Sequence, residues 1–443
     1  MATDSSAGNK DSKKDVFDLP AYQKRRFIPE DVDLADAEAV AGLYQELLGK
    51  NISSGEALAD FVDHRSELDA VLQQEASVLY IKMTCYTDDT EKADAYTKFI
   101  SEVIPAIKPL ADALDRKYLE AKDRLTIADS DFEVYDRTIR SDVDLFRVEN
   151  VPLQTEDDLL SQEYQAICGK MTVQIDGEEY TMPQAAKLLE QTDRTLRQKA
   201  WLATTERRLA DADKFDDVFE KMLAVRTKIA ANAGFANFRD YQFKHYHRFD
   251  YTPDDCKAFH NTAEEIVVPL LGVINKRRCD KMGLAKVRPW DTVVDPLSRE
   301  PLKPFEDVSV LIEKTGDIFT QIDGELGEQF AEMARMGLLD LASRKGKAPG
   351  GYQTTLTEAR KPFIFANAVG VNNNIITLLH EGGHAFHAIA SADQRLYPYR
   401  HATIEFCEVA SMSMELLAMP YLSEFYDEQD AKRARIRQLE RSA

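Results

Sequence analysis

The segment LLHEGGHAFHAIA, residues 378–390, holds three of the chain's eight histidines and a glutamate within eight positions. His380, Glu381 and His384 spell H-E-x-x-H. On an α-helix, residues four apart lie about 40° apart around the axis and one turn up, so both imidazoles can reach one metal ion. Glu381 lies about 100° round from His380, beside such an ion rather than on it, where a base for water is wanted. Neutral imidazole suits zinc, and a catalytic zinc takes three protein ligands and keeps one position open. The same pattern also arises by chance on exposed helices. Here Ile375, Ile376, Leu378, Leu379, Phe386 and Ile389 flank it, which argues for burial, and a buried histidine cluster with no ligand would be costly. One metal ion per chain is therefore expected.

Two adjacent glycines, Gly382 and Gly383, interrupt this helical pattern. Each costs about 1 kcal/mol against alanine inside a helix. A missing side chain lets another backbone or a substrate come close, and close approach is preferred here to a merely kinked helix. A third ligand is sought on the next helical stretch, HATIEFCEVASMSMELLAMP (401–420), which carries Glu405, Glu408 and Glu415 on roughly one face. No Lys or Arg occurs between His401 and Ala431, so no local ion pair holds these carboxylates and a metal is the obvious cation. A polar stripe facing water would explain the carboxylates but not the apolar remainder. Spacing alone does not choose between Glu405 and Glu408.

The elements that must position these groups are mostly helical. Apolar residues recur at three- and four-residue steps over 35–50, 92–125, 182–234 and 252–283. Thr252 and Asp254 read as caps, and Gly234 and Gly283 as stops. Strand signals are few. MTVQIDGEEYTM (171–182) alternates around Asp176-Gly177, a hairpin signature, and GGYQTTL (350–356) with KPFIFANAVG (361–370) forms a second extended pair before the histidine segment. No linker, repeat or low-complexity block divides the chain. One mostly α body is expected, in two lobes sharing a cleft, with a small β-sheet beside the active-site helix.

Composition narrows the partners. A formal charge of -21 argues against nucleic acid and anionic membranes, both polyanions. Five scattered cysteines without a CxxC pair fit a reducing compartment. The opening MATDSSAGNKDSKKD lacks the apolar core of a signal peptide, so residues 1–15 are expected to be disordered. No apolar run approaches membrane-span length. A soluble, cytoplasmic protein is expected; its oligomeric state is not legible.

LLHEGGHAFH followed by IEFCEVASMSMELL resembles the zinc core of the thimet oligopeptidase, oligoendopeptidase F and Pz-peptidase family. The approach LDLASRKGKAPGGYQ…PFIFANAVG (339–370) resembles the oligoendopeptidase F branch. The resemblance runs from about residue 165 onward, more weakly upstream, implying an N-terminal helical lobe over 16–165 and a catalytic domain over 166–443. It implies a two-lobed, zincin-type, neurolysin-like fold whose deep channel admits only short peptides. It makes His380, His384 and Glu408 the Zn2+ ligands and Glu381 the general base of an endopeptidase, with His387 and Glu415 supporting the ligands. Gly383 matches a family glycine, whereas Gly382 stands where a bulkier residue is usual.

Oligopeptides are the expected substrates, held by GGYQTTL or PFIFANAV as an edge strand, with Gly351, Tyr352 and Asn367 as candidate contacts. The resemblance also implies later helices carrying a His and Tyr residues that stabilise the oxyanion. The chain's end at Ala443 is accordingly read as an incomplete catalytic domain with slowed hydrolysis. Two other readings stay open. One is a zinc hydrolase of non-peptide amides; the other is an inactive protein that still binds zinc and peptide.

Overall fold

The computed structural model describes residue 17, residues 19–122 and residues 132–442; the expected disorder of residues 1–15 lies outside them. The first half of the chain is helical: α1 (Ala37–Gly49), α2 (Gly55–Cys85), α3 (Thr90–Lys98), α4 (Ile104–Glu120), α5 (Glu133–Leu145) and α6 (Val151–Gly169). A π turn over Phe99–Val103 joins α3 to α4. Side-chain caps start α1, α2 and α3, with Asp36, Ser54 and Asp89 each accepting from backbone N–H groups of the first turn.

The expected hairpin follows. β1 (Thr172–Ile175) pairs antiparallel with β2 (Glu178–Thr181). Asp176 and Gly177 both take positive φ, 55° and 89°, as a two-residue turn matched to strand twist requires. The periodic run 182–234 is not one helix. It divides into α7 (Met182–Lys187), α8 (Arg194–Leu209) and α9 (Ala212–Asn232), because Asp193 caps a fresh helix by accepting from Thr195 and Leu196. Apolar periodicity alone does not reveal such a restart.

Next come α10 (Phe238–His245) and α11 (Pro253–Met282). Thr252 and Asp255 form a reciprocal capping box at the start of α11, and Gly283 ends it at φ 64°. Asp254 lies inside the first turn. Helices α12 (Val308–Ile322) and α13 (Gly324–Arg335) precede a three-stranded sheet of β3 (Leu339–Ala342), β4 (Tyr352–Leu356) and β5 (Lys361–Ala368). Its order is β3-β5-β4, with β3 parallel and β4 antiparallel to β5. The chain then runs through α14 (Asn372–Ala390), α15 (Ile404–Leu417) and α16 (Glu428–Ser442).

Two large cores result. One is built from α1, α2, α4 and α5, around Leu58, Phe61, Phe99 and Tyr118. The other joins the sheet to α12–α16, around Phe319, Phe330, Phe365 and Leu379. Helix α2 serves both: its first part, to Leu72, packs in the former, and Val78, Ile81 and Cys85 pack in the latter. No helix among the described residues is long and apolar enough to cross a membrane.

The sheet corrects one expectation. PFIFANAV is the central strand β5, paired on both sides, so it offers no edge to a peptide. Among the described residues β3 and β4 are the edge strands of this sheet, and β4 packs against α14.

Candidate active site

Helix α14 buries Ile375, Ile376, Leu378 and Leu379 to 3% exposure or less, which fixes its rotation. Asn374 holds the entry turn by accepting from the Val369 and Val371 amides. With that face fixed, His380 and His384 project toward α15, their rings 4.9 Å apart and nearly perpendicular.

The glycines set how near α15 can come. A Cβ on Gly383 would lie 2.6 Å from Ser411 Cα and 2.7 Å from the Ala410 oxygen. The α15 backbone therefore occupies the space of a side chain. A Cβ on Gly382 would meet the Phe319 ring at 2.6 Å, a ring wedged against Phe330 and Phe386. Both glycines thus serve close approach, to a backbone and to a buried ring.

That approach brings Glu408 to the histidines. Its Oε2 lies 3.4 Å from His380 Nε2, and its Oε1 lies 3.8 Å from His384 Nε2. The ligand atoms of His380, His384 and Glu408 all lie within 4.8 Å of one another. Ligands around tetrahedral zinc sit about 3.3 Å apart, given bonds near 2.0–2.1 Å, so small side-chain rotations suffice to close the set. The tautomer also fits. His380 Nδ1 is 2.8 Å from Glu415 Oε1, and donating there leaves the Nε2 lone pair facing Glu408. A lone pair opposite a carboxylate calls for a cation between them. The donor set therefore suits Zn2+.

Glu405 is elsewhere. Arg248 and the Tyr251 hydroxyl, from the segment joining α10 to α11, engage its carboxylate. The expectation that no ion pair serves these glutamates holds only locally: the partner of Glu405 comes from a distant part of the chain. Ser411, overlooked in the sequence, donates to Glu408 Oε2 at 3.1 Å from one turn further on; the i, i+3 spacing within EVAS is the signal that could have found it. Gln438 of α16 donates to Glu415, and nothing in the sequence marks it.

Glu381 points to the other side, toward β4. It is 7% exposed. Burial, with the neighbouring Glu408 charge, outweighs the His380 attraction and lifts its carboxyl to about 7. The Gln353 amide of β4 lies against it, and a Cβ on Gly351 would be 3.6 Å from its Oε1. The glycine leaves open the space between base and strand. Asn367 donates to the Ala348 and Gly350 oxygens, both at 2.9 Å, and so holds the loop that delivers Gly351. Tyr352 is committed to packing: its ring stacks on Phe365 at 4.7 Å and its hydroxyl bonds Thr84. His387, half-buried one turn beyond His384, lies outside the group of three; burial depresses the pKa of both His384 and His401, and the His387 ring adds a smaller push in the same direction.

Comparison with known proteins gives a consistent picture. The model of peptidase family M3 matches residues 187–442. Oligopeptidase PepF of Bacillus subtilis is 25% identical over 232 residues, 49% of this chain and 34% of that protein. Group B oligopeptidase PepB of Streptococcus agalactiae is 25% identical over 262 residues, 55% of this chain and 39% of that protein. The matched segments thus span little more than a third of these relatives. The solved structure of Pz peptidase A with an inhibitor superposes with a TM-score of 0.88 at 26% identity, covering 94% of this chain and 74% of that one.

Proposed function

The chain belongs to peptidase family M3, and from that premise we propose that it is a zinc-dependent endopeptidase acting on short oligopeptides. The observation that carries this reading is the convergence of His380, His384 and Glu408 beside a buried Glu381 that faces an open strand edge. PepF and PepB are oligopeptidases by name, and a like substrate class is proposed here.

His380, His384 and Glu408 would hold Zn2+, one per chain. When bound, the dication supplies Lewis acidity, polarising a carbonyl and making water acidic near neutral pH. Every other role falls to side chains and backbone. Glu415 fixes the His380 tautomer, and Ser411 fixes the Glu408 carboxylate. Glu381 takes the proton of the attacking water and returns it to the leaving amine. A carboxyl tuned to about 7 is suited to both transfers, although a bound dication would lower that value. The outward edge of β4 pairs with an extended peptide through main-chain groups, which gives affinity with little dependence on side chains.

The test joins metal analysis to a digest. We expect about one zinc per chain and cleavage of a quenched fluorogenic oligopeptide, abolished by chelation and restored by Zn2+. Stoichiometric zinc without cleavage would favour a binding protein. Cleavage of small amides but not peptides would favour the non-peptide hydrolase.

A further inference from the structure

Beyond Gly351 the site opens into a cavity of 1020 Å³, walled by α11, α16, the end of β5 and the start of α14. It exceeds the usual range of ligand pockets, about 300–1,000 Å³. It borders the reacting centre directly. Gly351 and Thr377 line it, and both lie against Glu381: Thr377 is one turn before it on α14, and Gly351 leaves the gap beside its Oε1. Gln438, which donates to Glu415, lines it too.

The charge of this cavity runs against that of the chain. Seven Lys or Arg side chains and three carboxylates line it, in a protein of formal charge -21. The three carboxylates do not neutralise the cations evenly. Arg437 is paired with Glu190, and Arg299 and Arg433 share Asp295. Among the described residues, Lys187, Arg278, Lys281 and Arg441 make no ion pair. Arg278 spends its hydrogen bonds on the Asp291 and Val294 carbonyls, and the third lining carboxylate, Glu440, acts on its charge without forming an ion pair. Lys187 and Arg278 are half-buried while Lys281 and Arg441 are exposed, and a half-buried cation without an ion pair is costly unless an anion visits.

Strand direction says which end of a peptide arrives. Pro362, opposite Thr355, has no N–H to give, and the Gln353 amide turns to Glu381. Residues 351, 353 and 355 therefore present their main-chain groups outward. Antiparallel pairing is the more stable arrangement. It runs the peptide from Thr355 toward Gly351, so the residues after the scissile bond enter the cavity.

We propose that this cavity binds the free C-terminal carboxylate of the substrate, with Arg278 as the principal anchor and Lys281 adding field. The inference rests on the peptidase reading above and adds a rule to it: selection for short peptides with an unblocked C-terminus. The rule needs only that the cleaved bond lie a few residues from the end, since the cavity adjoins the base.

Binding is measured apart from turnover. Zinc-loaded Glu381→Gln protein is titrated with one labelled oligopeptide, as the free acid and as the C-terminal amide. We expect the acid to bind about tenfold tighter or more, the least that one charge-assisted hydrogen bond gives. Arg278→Gln should remove most of that preference, and Lys281→Gln, an exposed charge that supports no loop, should reduce it. Equal binding of acid and amide, binding of neither, or a preference untouched by both substitutions overturns the anchor. The peptidase reading is judged separately, by hydrolysis with wild-type protein. Cleavage of acid and amide at equal kcat/KM would sink the anchor and leave that reading standing.

Discussion

Glu381 and Glu408 project from neighbouring helices toward one small volume, yet their removal should have opposite signatures. Glu381→Gln should keep full zinc stoichiometry while peptide hydrolysis falls by about 10²–10⁴-fold, the usual worth of a positioned general base. Loss of metal in that variant would move Glu381 among the ligands. Glu408→Ala should strip the zinc, whereas Glu405→Ala should leave it, because Glu405 is taken by Arg248 and Tyr251. Glu415→Gln should weaken zinc binding about 10–100-fold, as loss of a ligand's hydrogen-bond partner does, measurable by competition with a chromogenic chelator. The placement of the histidine pair and of Glu381 beside it was legible in the sequence because i, i+1 and i, i+4 geometry is intrinsic to a helix. The choice between Glu405 and Glu408 was not legible from spacing, since the deciding partner Arg248 lies 157 positions from Glu405.

Among the elements, the contact of α14 with α15 is the one on which the metal group depends, and the two glycines test it separately. Gly383→Ala should displace the α15 backbone and with it Glu408, lowering both zinc affinity and melting temperature. Gly382→Ala presses on Phe319 instead. It should cost stability, about 1–3 kcal/mol as overpacking typically does, with much less effect on zinc. Thermal melts and zinc titrations of both variants decide the matter, and equal zinc loss in the two would remove the distinction. The hairpin at Asp176-Gly177 and the pairing of β4 with β5 could be read in advance, since turn residues and alternation are local signals. Strand β3 could not. Leu339, Asp340 and Ala342 pair in parallel with β5, with the whole of β4 intervening in the chain, so the pairing is not a local one. The edge role assigned to PFIFANAV failed for the same reason, because strand order is not a local property.

At the scale of the whole molecule, one ionic clamp ties the end of α2 to the sheet. Lys347, its side chain wholly buried, reaches Asp340 of β3 and the Ala366 oxygen of β5. Arg344 grips the same carboxylate and the Cys85 oxygen at the end of α2. Burial opposes the charge on Asp340, but the Arg344 and Lys347 contacts prevail and hold its carboxyl down at about 2, against the usual 3.8. A depressed carboxylate stabilises the fold above its unfolded pKa, and that contribution fades as pH falls from 3.8 through about 2. Asp340→Asn should therefore cost about 3–5 kcal/mol near neutral pH, as breaking a buried pair does, and flatten the acid limb of the stability curve in that window. Urea titrations from pH 2 to 6 would show it; an unchanged acid limb would assign the clamp no net weight. Helix α2 carries a different consequence. Its 31 residues, about 46 Å of helix, are packed into both cores, so neither core can melt without stripping one end of the same rod. Heat or denaturant should then produce one concerted transition rather than two staggered ones, with the slowest-exchanging amides in the middle of that rod. Any breathing that admits a peptide must bend around α2 rather than separate the halves it joins.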